Sequence, residues 1–247
     1  MDDILIEEVV NSYKNGLKTI GNLKNKSISA ICSKTGNVLM SWTAYKCIYG
    51  EISLGGNAYT IHNGKWYEIN NDYVEKINSD YDDTPISSIS FDECPKKYTE
   101  NQYNNLFVSN HSTNYICMDN KLIRYGGGRS SIEFCDILSL DNKIIHVKKY
   151  AGSSALSHLF NQAFVSAQLI KYDDFIDKVN SKITSITSES SYFVDQSKKY
   201  EIVIAIICND EDKPNIPFFS KITFSNLKRR LKVLDYKYSI KSILKKD

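Results

Sequence analysis

Glu133, Asp136, His146 and Lys148 stand close together in the chain, set among Ile132, Phe134, Ile137, Leu138, Ile144, Ile145 and Val147. These residue types have a common chemistry. Carboxylates bind hard divalent cations, and a bound cation acidifies its water. A neighbouring lysine steadies the nucleophile or the negative charge that develops on a phosphoryl group. A few such groups in apolar surroundings point to metal-dependent phosphodiester hydrolysis.

Spacing restricts how they can meet. The stretch from Arg129 to Tyr150 reads as two short strands joined by a polar turn, the first ending in Asp136 and carrying Glu133. His146 and Lys148 alternate on the second strand and share a face. Glu133 and Asp136 are three residues apart, so a continuous strand sends them to opposite faces. Both reach one metal only if the strand bulges or ends just before Asp136. The hairpin register is left open. A two-residue loop at Asp141-Asn142 pairs Ile137 with His146 and turns Asp136 to the wrong face. An odd-numbered loop sets Asp136 beside His146, on the face of Lys148.

The flanking elements must hold these residues in place. Pro95–Val108 reads as a helix with Thr99 capping it before Glu100. Tyr115–Met118 and Leu122–Tyr125 read as a strand pair around Asp119-Asn120, and Gly126-Gly127-Gly128 as a turn. Ala155–Ile170 carries one apolar helical face and Gln162, with Ser153 or Ser154 as the expected N-cap. A helix over Asp173–Ile183 precedes Tyr200–Cys208, a continuous apolar run typical of a strand buried on both faces. The tail holds PFFSKITF, a basic helix around Asn226–Leu234 and a last strand from Tyr236. Upstream, Asn63-Gly64 between alternating runs marks a hairpin. The division expected is 1–92, an accessory region, and 93–247, a core domain.

From Pro95 onward the order is therefore helix, strand, strand, strand, helix, strand. Glu100 lies on the first helix, Asp136 on the second strand and Lys148 on the third. This arrangement resembles the core of the PD-(D/E)xK nucleases. The resemblance implies an α/β (α+β) mixed sheet of restriction-endonuclease type, flanked by helices and preceded by a small α+β region. It implies Mg²⁺ or Mn²⁺ held by Asp136 and either Glu133 or His146, with Lys148 positioning water and stabilising charge. Glu100 and Gln162 would complete or orient the site. Two positions depart from the pattern: His146 stands two before Lys148 where an acid is usual, and Cys135 precedes Asp136 where proline is usual.

EFCDIL, IHVKKY, SSALSHLFNQAFVSA and PFFSKITF also resemble signatures of a large uncharacterised prokaryotic family, sporadically distributed and often encoded near mobile elements. That likeness covers Trp66 to the C-terminus and implies a place in phage or mobile-element defence. Its members carry a further N-terminal half, so the resemblance implies a fragment, a short variant or half of a split system, with a partner chain supplying that half or a second copy as the partner.

Composition sets the outer bounds. The 247 residues suffice for a large core, and a formal charge of +2 neither requires nor excludes nucleic acid. Arg129, Lys149, Lys221, Lys228, Arg229 and Arg230 make an expected track for a nucleic-acid backbone, DNA above all; a solvated helix face is the alternative. Six dispersed cysteines without a C-x-x-C pair argue against a zinc ribbon and for a reducing, cytoplasmic setting. The acidic N-terminus and the lack of a long apolar run argue against secretion or a membrane span. The leading expectation is a metal-dependent nuclease, and the alternative a non-catalytic nucleic-acid-binding or assembly subunit.

Overall fold

The computed structural model describes residues 6–13, 19–127 and 131–246. The chain forms two compact units, Met1–Lys76 and Ile77–Asp247.

The first unit holds two short helices, α1 (Ile6–Asn11) and α2 (Ile20–Asn25), and two small antiparallel sheets. Strands β1 (Ser27–Ile31) and β2 (Val38–Thr43) make one, and β3 (Gly50–Leu54), β4 (Asn57–His62) and β5 (Lys65–Ile69) the other. The expected Asn63-Gly64 hairpin joins β4 to β5. Both turn residues have positive φ, at 49° and 72°, as the two-residue turn that matches strand twist requires. Helix α3 (Asn71–Asp82) follows.

The second unit is built on a six-stranded mixed sheet. Its elements are β6 (Cys94–Pro95), α4 (Glu100–Asn110), β7 (Tyr115–Cys117), β8 (Leu122–Arg124), β9 (Ser131–Glu133), β10 (Ile137–Ser139) and β11 (Lys143–Lys149). Then come α5 (Ser153–Leu169), α6 (Asp173–Thr184), β12 (Glu201–Cys208), α7 (Phe218–Val233) and β13 (Lys237–Lys246). The strand order is β6-β13-β12-β11-β10-β7. Strands β7, β10 and β11 form an antiparallel meander, and β12, β13 and β6 continue parallel to β11.

Alternation along the strands sorts the core into two layers. Ile144, Ile202, Ile204 and Ile206 pack with Leu156, Leu159 and Phe160 of α5 and with Phe224 and Leu231 of α7. Ile145, Val147, Val203, Ala205 and Ile207 pack with Tyr103 and Phe107 of α4. Strand β12 is buried on both faces from Ile202 to Cys208, as its continuous apolar run predicts. Each fully buried isoleucine contributes about 2 kcal/mol of transfer free energy, so this strand anchors the sheet.

Several local expectations change. The segment 115–125 is not a strand pair: β7 joins β10 in the main sheet, and β8 pairs with β9 in a separate ribbon. The first strand of the hairpin does not run on to Asp136. It stops at Glu133, and Phe134–Asp136 carry the chain from the ribbon into the sheet. Gly152, with a φ of 100° that glycine tolerates best, caps α5 in place of Ser153 or Ser154. The tail helix begins at Phe218, well before Asn226. All six cysteines are unpaired. No helix among the described residues is long and apolar enough to cross a membrane.

Candidate metal centre

The hairpin β10–β11 decides which polar groups meet. Ser139 accepts the backbone N–H of Lys143 on its hydroxyl, and Asn142 takes a φ of 64°. The connection is therefore the odd-numbered loop Leu140–Asn142, and Ile137 pairs with Ile145. Continued by one residue, this register sets Asp136 opposite His146 and on the face of Lys148. Asp136 lies just before β10, where its Oδ2 accepts the backbone N–H of Val147 at 2.7 Å.

Two further carboxylates join it. The break after Glu133 frees that side chain from strict alternation. Its Oε1 accepts the backbone N–H of Asn120 at 2.6 Å, and Gln162 of α5 reaches its Oε2 at 3.5 Å. Asp119 follows β7. The carbonyl of Asp136 accepts the N–H groups of both Met118 and Asp119, at 2.8 and 3.0 Å, and so draws Asp119 alongside. Asn104, buried on α4, donates to Asp119 Oδ2 at 2.7 Å. One ligand oxygen each from Asp119, Glu133 and Asp136 lie within 4.8 Å of one another.

The triad opens into a cleft of about 560 Å³. Glu100, the first residue of α4, lines it with Lys148, Lys149, Lys97 and Gln162. The Glu100 carboxylate pairs with Lys148 Nζ at 2.8 Å and accepts the backbone N–H of Lys149 at 3.0 Å. Lys149 Nζ donates to the Tyr98 carbonyl at 3.4 Å.

Burial and like charges both act on Asp136. Burial, together with the charges of Glu133, Asp119 and Glu100, pushes the Asp136 carboxyl up to about 8, and the bond from Val147 offsets only part of this. A cation among these oxygens would counter the like-charge part of that shift. The donor set, three carboxylates with no sulfur or imidazole, suits a hard ion such as Mg²⁺ or Mn²⁺.

The DUF6119 family model, described only as a family of unknown function, matches residues 1–244. The chain belongs to that family. No curated protein and no solved structure matches it. The DUF6119 match takes in the first unit as well as the stretch from Trp66 onward that bears the signature motifs.

In this DUF6119 chain the residues expected at the site separate into three groups. Asp136, Glu133, Lys148, Glu100 and Gln162 line one cleft, together with Lys149. His146 does not join the acidic group. It is 2% exposed, its Nε2 has no partner, and burial drives its pKa down to about 3, so it is a neutral core residue. Asp119 takes the place expected for it.

The basic track is dispersed. Lys228 is buried, bonded to Thr84 at 3.1 Å and ion-paired with Asp80 at 2.8 Å, and is therefore withdrawn from any phosphate backbone. Lys221 donates to Asn78, and Arg230 lies over the Phe164 ring. Arg229 is exposed and bonds Asn226 on its own helix. Arg129 lies outside the described residues.

Sequence reasoning missed Asp119 and Asn104. Asp119-Asn120 has the composition of an ordinary turn, and Asn104 stands on a helix rich in asparagine. Neither is spaced from Asp136 in a way that marks it.

Proposed function

We propose that this chain is a metal-dependent phosphodiesterase acting on nucleic acid, with DNA as the first substrate to test and defence against phage or mobile elements as its setting. The observation that carries the reading is the convergence of Asp119, Glu133 and Asp136 in the cleft that also holds Lys148. The succession α4, β7, β10, β11, α5, β12, with an antiparallel meander followed by a parallel strand, supports it as the fold expected of a PD-(D/E)xK-like core.

Asp119, Glu133 and Asp136 would hold Mg²⁺ or Mn²⁺, which when bound supplies Lewis acidity and a more acidic water. The chain's own groups do the rest. Lys148 presents a cation to the charge that develops on the phosphoryl oxygens, and Glu100 fixes its ammonium at 2.8 Å. Gln162 and the Asn120 N–H orient Glu133. Lys149 and Lys97, on the cleft wall, provide positive charge for neighbouring phosphates.

The test is cleavage of single- and double-stranded DNA and RNA with Mg²⁺ or Mn²⁺. Asp136→Ala and Lys148→Ala should each lower the rate about 100-fold or more. Cleavage unchanged by both substitutions would refute this site. Metal-independent binding of nucleic acid without cleavage would favour the non-catalytic subunit.

A further inference from the structure

Asn104 is a fully buried polar residue in an apolar layer, between Tyr103 and Phe107 on α4. Its Nδ2 donates to Asp119 Oδ2 at 2.7 Å, while its Oδ1 is buried with no hydrogen-bond partner. The carboxylate sets the amide's orientation, because turning it would bring oxygen against oxygen. A buried amide with an orphaned carbonyl is a poor choice for packing, and leucine would fill a similar volume without one. What asparagine adds is the bond to Asp119.

The same pattern recurs at Asp136, where Val147 N–H occupies Oδ2. Among the described residues, no donor reaches the other oxygen of Asp119 or of Asp136. Each of these carboxylates is thus held at Oδ2, and both residues line the cleft.

We infer that Asn104 is a positioning residue that holds Asp119 in the orientation for binding a hard divalent cation, an inference that rests on the metal centre proposed above. Without the amide, Asp119 is a buried anion free to turn away from Glu133 and Asp136. Hydrogen-bonded partners of metal ligands affect affinity about 10- to 100-fold.

The experiment is titration of the full chain with Mn²⁺ by calorimetry, beside metal-free thermal unfolding, for the wild type, Asn104→Leu and Asn104→Ala. Asn104→Leu should unfold near the wild-type temperature, the removed orphan oxygen offsetting the donor that Asp119 loses, yet bind Mn²⁺ about 10- to 100-fold more weakly. Asn104→Ala should lose a similar factor and melt lower because of the cavity. A purely structural asparagine would give the opposite pattern, lower stability with unchanged Mn²⁺ affinity, and would overturn the inference. Wild-type affinity in whichever variant folds does the same while leaving the metal centre standing. Absence of saturable Mn²⁺ binding by the wild type removes both.

Discussion

His146 shows how one residue's surroundings set its chemistry. Among apolar neighbours on a strand it reads as a core residue, the usual fate of a lone histidine there, or as a ligand, and the structure makes it the former. Its pKa falls from the ordinary 6.5 to about 3 through burial, so the unfolded chain binds a proton there before the folded one does. Its contribution is intact above pH 6.5 and is lost as pH falls toward 3, at up to about 1.4 kcal/mol per pH unit. His146→Leu should therefore gain stability on the wild type by about that slope as pH is lowered. Denaturant titrations at pH 7, 6 and 5 measure it, and parallel curves would place the imidazole in contact with water.

Asp136 behaves in the opposite sense. Its carboxyl titrates near 8 in the fold and near 3.8 when unfolded, so the folded state retains the proton between those values. Stability without a cation should fall as pH rises through that window. Cation binding at pH 7 should release close to one proton, detected as a buffer-dependent calorimetric heat. A heat independent of buffer would show that Asp136 is already ionised.

At the level of elements, the loop Leu140–Asn142 and the break at Phe134–Asp136 do most to build the site. Inserting one residue into the loop should shift β10 against β11 and turn Asp136 from the cleft. Circular dichroism should stay near wild type while Mn²⁺ binding is lost; retained binding would show that the Val147 N–H alone holds Asp136. The tail helix makes a second case. Lys228 (side chain 5% exposed) ties α7 to Asp80 (38% exposed) and Thr84. Lys228→Ala leaves a carboxylate and a hydroxyl without their donor, and should cost about 2–3 kcal/mol, discounted for the partly solvated aspartate. Chemical denaturation checks this, and a loss below about 1 kcal/mol would mean water replaces the ammonium.

For the whole molecule, metal, charge and stability are linked. Ligation favours the folded state by RT ln(1 + [L]/Kd), about 2.7 kcal/mol at a hundredfold excess over Kd. Mg²⁺ should thus raise the melting temperature, and a chelator reverse it. Glu133→Gln removes one of the charges crowding Asp136. This variant should gain little stability from Mg²⁺; an undiminished gain would exclude Glu133 as a ligand.

Much of this was legible in the residues because it depends on local pattern. The β12 run, the Thr99 cap, the Asn63-Gly64 turn and the amphipathic α5 each declare their structure through neighbours a few positions away. Asp136 and Lys148 could likewise be singled out by type and setting. Other features depend on pairings between distant segments, which no local spacing encodes. A one-residue change of register reverses every side chain on a strand, so only the folded hairpin could put Asp136 on the face of Lys148. Only the Met118 and Asp119 bonds to the Asp136 carbonyl bring Asp119 in as the third acid. And only close packing, by burying His146 without a partner for Nε2, removes it from the site.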